Sequence, residues 1–132
     1  LNDFRKIPNG CAGVENMYPF MLAAANAGRL SFNKVVQLCC ANTASLFGCT
    51  TKGSLDVGKD ADIVIYDPEK DFTIHQSNMH SDADHTIWEG VSLHGYPVQT
   101  YVRGTLVYDN CDFIGERGFG RYLKRARRPK RT

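Results

Sequence analysis

The spacing of apolar positions changes partway along the chain. Phe32, Val35, Val36 and Cys39 fall at i, i+3, i+4 and i+7, which is one helical face. Just before them, residues 17–27 (MYPFMLAAANA) are rich in Ala and Met, both good helix formers. Pro19 fits that helix best in its first turn, where the missing N–H costs little. Gly28 can close it with a left-handed cap, and Ser31 can cap the next helix. A shorter third helix starts at Asn42 or Thr43, runs through Ala44, Leu46 and Phe47, and stops at Gly48. From Gly53 onward the texture is that of strands. Ile63–Tyr66 is a β-favouring run between turns at Gly53, Gly58 and Asp67–Pro68. Residues 98–102 and 105–108 form a hairpin about Arg103–Gly104, and the polar stretch 75–90 reads as loop. Helices followed by strands suggest two structural units, with a boundary near residues 49–54.

Composition fits one folded piece. The chain has 132 residues, of which 42% are hydrophobic, enough for a core. No run of 18 apolar residues marks a membrane span, and LNDFRKIPNG has no apolar signal region. The five cysteines are odd in number and lack CxxC spacing, so reduced, mostly buried thiols in a cytoplasmic setting are expected rather than a zinc site. Charge is uneven. Residues 117–132 hold eight Lys and Arg and no acid, whereas the first 116 carry eight basic and fourteen acidic side chains. A basic tail can meet an acidic surface or nucleic acid, but no nucleic-acid motif accompanies it, so a solvated or inter-subunit tail is expected.

Complete catalytic constellations are absent from the sequence. His80, Asp82, Asp84 and His85 cluster in MHSDADH, but their spacing is not that of a metal motif, the segment reads as a loop without rigid neighbours, and no Glu or Cys is obviously recruited to it. His75 and His94 stand alone, and Asp60, Asp62 and Asp67 read as solvated turn acids. The stretch FRKIPNGCAGVE, residues 4–15, is different. Glycine-punctuated loops usually follow a strand and carry function, and the strand expected before this one is missing. Pro8 fixes φ and Gly10 allows a turn closed to other residues, so Asn9 can present an unpaired main-chain N–H and C=O to a cleft; an ordinary surface turn is the alternative and the commoner outcome of such a loop. A cyclic imide or ureide offers the complementary pair.

Several segments occur together in a telling order: DFRKIPNGCAGVE, NTASLFG, KGSLDVGKDADIVIYDP, DHTIWEG with GYPVQTYVRGTLVYDN, and FIGERGFGRYLKR. In this the chain resembles the C-terminal part of the dihydropyrimidinase/D-hydantoinase family of cyclic amidohydrolases, over essentially its whole length. The resemblance implies an α/β plus β architecture. Residues 1–48 would be the last loop and helices of a metal-dependent (β/α)8 barrel, residues 49–114 part of a small β-sandwich, and residues 115–132 a basic tail contacting neighbouring subunits. It also implies zinc-dependent hydrolysis of the ring amide of hydantoins or dihydropyrimidines, by a homotetramer with two zinc ions per subunit. Asn9 would be the substrate-binding residue. The family's zinc ligands lie in motifs upstream of IPNG, so no metal or catalytic role transfers to a residue of this chain, which alone is expected to be inactive. Non-catalytic, oligomeric scaffold relatives are the alternative, or a truncated remnant. PNG at the substrate loop favours the enzyme, because a protein that binds no ring has no chemical need of it.

Residues 1–48 on this reading lack the barrel on which they pack. The isolated chain is expected to aggregate or to unfold without a cooperative transition in calorimetry, and a sharp monomeric melt would contradict this.

Overall fold

The computed structural model describes residues 3, 5 and 10–126. Helix α1 spans Val14–Asn26. A second helical rod is built from α2 (Phe32–Val36), a π-helical turn (Gln37–Ala41) and α3 (Asn42–Phe47). Strands β1 (Ile63–Thr73), β2 (Ser92–Val102), β3 (Thr105–Asp109) and β4 (Asp112–Phe113) form one antiparallel sheet in sequential order.

Local chemistry sets the helix ends. The carbonyl of Gly13 accepts from Asn16 and Met17 N–H at 3.2 and 3.1 Å, which begins α1 three residues earlier than the Ala- and Met-rich run implied. Pro19 therefore sits in the second turn rather than the first, and it has no N–H to give the Glu15 carbonyl. At the other end, Gly28 N–H meets Ala25 O at 2.9 Å and Arg29 N–H meets Ala24 O at 3.0 Å, a Schellman closure with Gly28 left-handed. Ser31 caps α2 as expected, its hydroxyl accepting from Lys34 N–H at 3.2 Å. The second and third helices are continuous. In the π turn, Asn42 N–H reaches back to Gln37 O, and the Thr43 hydroxyl bonds Leu38 O at 2.9 Å.

The sheet corrects one expectation. Asp67–Pro68 is not a turn between elements. It opens a wide irregularity inside β1, where Asp67 pairs with Tyr96 and Asp71 with His94, so three residues of β1 face one of β2. The Asp67 carboxylate accepts Glu69 N–H at 2.9 Å and shapes the bulge. Opposite it stands Gly95, at φ +88. The hairpin at Arg103–Gly104 forms as expected, with positive φ at both residues. β2 is longer than its hydrophobic run, because Ser92–His94 pair with Asp71–Thr73 at the far end of β1 and Tyr96–Pro97 with Tyr66–Asp67.

Helices and sheet share their cores. Leu22, Ala25 and the fully buried Val35 form one cluster, against which Tyr66 of β1 packs. The fully buried Ile74, with Leu93 and Tyr96, forms the other, joined by Phe20 and Ala23 of α1 and by Trp88. Phe20 and Trp88 lie 4.7 Å apart, and Phe72 stacks on Tyr96 at 3.9 Å. Many large apolar side chains stay exposed, among them Phe32, Val36, Leu38, Leu46 and Phe47 of the second rod.

A Cβ at Gly95 would collide with the Tyr66 hydroxyl, and the left-handed φ forbids relief by backbone adjustment. Gly95→Ala is expected to lower stability by roughly 3 kcal/mol or more. The Tyr66 hydroxyl is buried without a partner among the described residues, so Tyr66→Phe is expected to be neutral or mildly stabilising. Urea midpoints of the two variants in the full-length protein check the contrast, and equal losses would refute it.

Candidate functional site

Asn9, the substrate-binding residue inferred from the sequence, lies outside the described residues, as does Pro8. The described part of that loop starts at Gly10, at φ +80, and enters α1 through Gly13. Glu15, in the first turn of α1, receives two donors from a single distant residue. The backbone N–H of His80 reaches one carboxylate oxygen at 2.9 Å, and His80 Nδ1 lies 2.7 Å from the other. His80 Nε2 is 3.2 Å from the carbonyl oxygen of Cys111 in the β3–β4 turn. The imidazole edge meets the rings of Tyr108 and Phe113, with centroids 5.9 and 6.5 Å away. Beside these groups lies a cavity of about 470 Å³ lined by Gly13, Glu15, Asn16, Met79, His80 and Phe113, among others. Asn16 is buried there, and its Oδ1 has no hydrogen-bond partner among the described residues.

This rearranges the MHSDADH cluster. A glutamate is in fact recruited to it, from 65 residues away. His85 turns instead to Asp84, at 2.7 Å, which holds the Asp84 carboxyl below its usual range. His75 and His94 are not isolated either. His75 Nδ1 lies 2.7 Å from Glu89, whose other oxygen accepts Gln76 N–H at 2.8 Å. The imidazole first, and then the backbone bond, keep the Glu89 carboxyl low. His94 Nδ1 lies 2.8 Å from Asp71, across the β1–β2 ladder. Among the described residues, no group of three or more His, Cys, Asp or Glu side chains is arranged to hold a metal ion, so the residues present do not fit one.

The turn acids have partners as well. Asp60 accepts from the Thr51 hydroxyl at 2.7 Å and pairs with Lys52 at 3.0 Å. Thr51 and then Lys52 hold the Asp60 carboxyl below its usual range. Asp62 bonds the same lysine and accepts Arg103 N–H at 2.9 Å. Burial would lower the Lys52 ammonium, but the two carboxylates outweigh it and raise it overall. These groups tie the 51–62 segment to the β2–β3 hairpin. They also border an apolar cavity of about 710 Å³ against the second rod, which Tyr18, Cys39 and Cys40 line too. Burial, followed by Cys40, pushes the Tyr18 phenol up to about 12.

The thiols are free but not mostly buried. Cys11 is exposed, and the other four are partly so. The tail, expected from the sequence to be solvated or to contact neighbouring subunits, is held to its own chain at Phe119 and at Ala126. Arg103 donates to Phe119 O at 2.6 Å and stacks over the Phe119 ring at 4.3 Å, and Ala126 N–H meets Gly48 O at 2.8 Å. Among the described residues, no helix is long and apolar enough to cross a membrane.

The sequence pattern of the amidohydrolase family matches residues 20–108. D-hydantoinase of Ralstonia pickettii is 39% identical over 127 residues, which is 96% of this chain and 28% of the relative. A solved D-hydantoinase structure superposes with a TM-score of 0.89 at 38% identity, covering 98% of this chain and 28% of the other. The dihydropyrimidinase of Brevibacillus agri gives 0.88 at 36% identity, with coverage of 98% and 28%. The chain thus spans a little over a quarter of the length of the relatives it matches.

Asp71 lifts the His94 imidazole above its ordinary value of about 6.5, so the pair stabilises fully below that value and loses its effect as pH rises through the higher, folded-state value. Asp71→Asn is expected to bring the His94 midpoint down in an NMR titration, and an unmoved midpoint would refute the pairing.

Proposed function

The chain belongs to the amidohydrolase family, and from that premise we propose that the polypeptide carrying it is a zinc-dependent cyclic amidohydrolase opening the ring amide of hydantoins or dihydropyrimidines. The observation that carries the proposal is the extent of the likeness. It runs over nearly the whole chain in both sequence and structure, and the proteins it meets are hydantoinases and dihydropyrimidinases. A match confined to the 53–68 segment would support far less.

In this reading residues 1–48 complete a (β/α)8 barrel and residues 49–114 contribute to a β-sandwich. Two features support it. The second rod exposes a row of large apolar side chains, as a helix packed on a barrel would when seen alone. β1 has only β2 beside it among the described strands, so its outer edge can accept a further strand. Residues 115–132 serve subunit contacts in a tetramer. The metal ligands lie outside this chain, and no step of the reaction is assigned to its histidines.

The contribution of this chain to the chemistry is recognition. A cyclic ureide displays an N–H beside a C=O, and the main chain at Asn9 offers the complementary acceptor and donor. Such a pair orients the ring without needing a particular ring substituent. Asn9→Pro removes the donor. In the full-length enzyme, assayed by hydantoin and dihydropyrimidine hydrolysis, it is expected to raise KM about tenfold or more, or to abolish turnover. Unchanged kinetics would remove the loop from the site, and a full-length protein without turnover on either ring would overturn the activity.

A further inference from the structure

We propose that Glu15 and His80 are positioning residues that hold residues 10–13, the described end of the loop, against the sheet, a role that rests on the assignment of that loop to the substrate. The geometry is a clamp with one rigid jaw. On the rigid side, both ring nitrogens of His80 face partners, and the ring lies against Tyr108 and Phe113 of β3 and β4. Its second partner, Cys111, holds φ +80, a conformation uncommon for a residue with a side chain and tied in place by the sheet around it. On the other side, Glu15 uses both carboxylate oxygens on one residue, which fixes the orientation of the carboxylate as well as its distance.

Glu15 lies two residues past Gly13 and five past Gly10. Glycines leave the chain free to point in many directions, and that freedom must be lost before a ligand can be gripped. Pinning the first turn of α1 to the sheet removes part of the freedom in advance. The inner wall of the clamp is the 470 Å³ cavity next to the loop, so a shift of α1 has room to occur when the clamp is broken. Pro19 adds to the need, because the Glu15 carbonyl has no N–H from that position to stiffen the turn.

Loss of the clamp weakens ring binding in ground and transition states alike, so KM changes and kcat does not. In the full-length enzyme, His80→Gln is expected to raise KM for hydantoin about tenfold with kcat within about twofold. His80→Asn keeps an amide nitrogen near the place of Nδ1 and is expected to stay within about threefold of the parent KM. Deuterium exchange of the amides of residues 10–16 is expected to quicken in His80→Gln and not in His80→Asn. Where His80→Gln fails to fold, the isosteric Glu15→Gln carries the same test. Unchanged KM and exchange would overturn the proposal, and so would a lowered melting temperature with KM unmoved. Should Asn9→Pro leave KM unchanged while exchange at 10–16 still quickens in His80→Gln, the clamp stands and the ring-binding assignment of the loop fails.

Discussion

Two carbonyl oxygens, those of Pro68 and His94, point at one amide nitrogen. Asn26 Nδ2 lies 2.8 Å from the first and 3.2 Å from the second. The bulge in β1 interrupts the ladder beside these carbonyls, and the amide gives both of them a partner. The last residue of α1 repairs the break, and so fixes the helix both along and across the sheet. Leu22 and Ala25 then reach one apolar cluster, while Phe20 and Ala23 reach the other. Gly95 is the other half of the arrangement, because its missing side chain leaves space for Tyr66 and Asn26 to approach.

Periodicity made much of this legible. Of the face at Phe32, Val35, Val36 and Cys39, Val35 is core and Cys39 packs against it while Phe32 and Val36 stay exposed, and the Arg103–Gly104 hairpin followed from a glycine after a β-favouring run. The cap at Gly28 and the stop at Gly48 were equally local. The failures were also local rules, overruled by distant contacts. Asp67–Pro68 looks like a turn, yet β2 supplies enough partners on both sides to carry the strand through it. Pro19 looked like a first-turn residue, but Gly13 offers an earlier start.

The candidate site was legible only in part. A glycine-flanked loop before a helix can be seen in the sequence, and an acid in a first helical turn is an ordinary signal. Nothing at Glu15 announces His80, 65 residues on, and nothing at His80 separates it from the acids and histidine beside it. The pairing exists because β1 and β2 return the 75–90 segment to the start of α1. Likewise the anchoring of the tail by Arg103 depends on a hairpin that brings residue 103 beside residue 119. Chemistry assembled by topology leaves no spacing to read.

The π turn in the second rod acts as a phase shifter. An α-helix advances about 100° per residue, so one additional residue in a turn rotates everything after it by that amount relative to everything before. Upstream of the turn the rod directs Val35 into the core and Val36 to the cavity shared with Lys52 and Asp62, and downstream Ala44 and Phe47 line that same cavity. A chain shortened by one residue here would regain ideal helical pitch and lose the match between its two halves. The rod measures angle as well as length, and its irregular turn is the setting that keeps both ends in register.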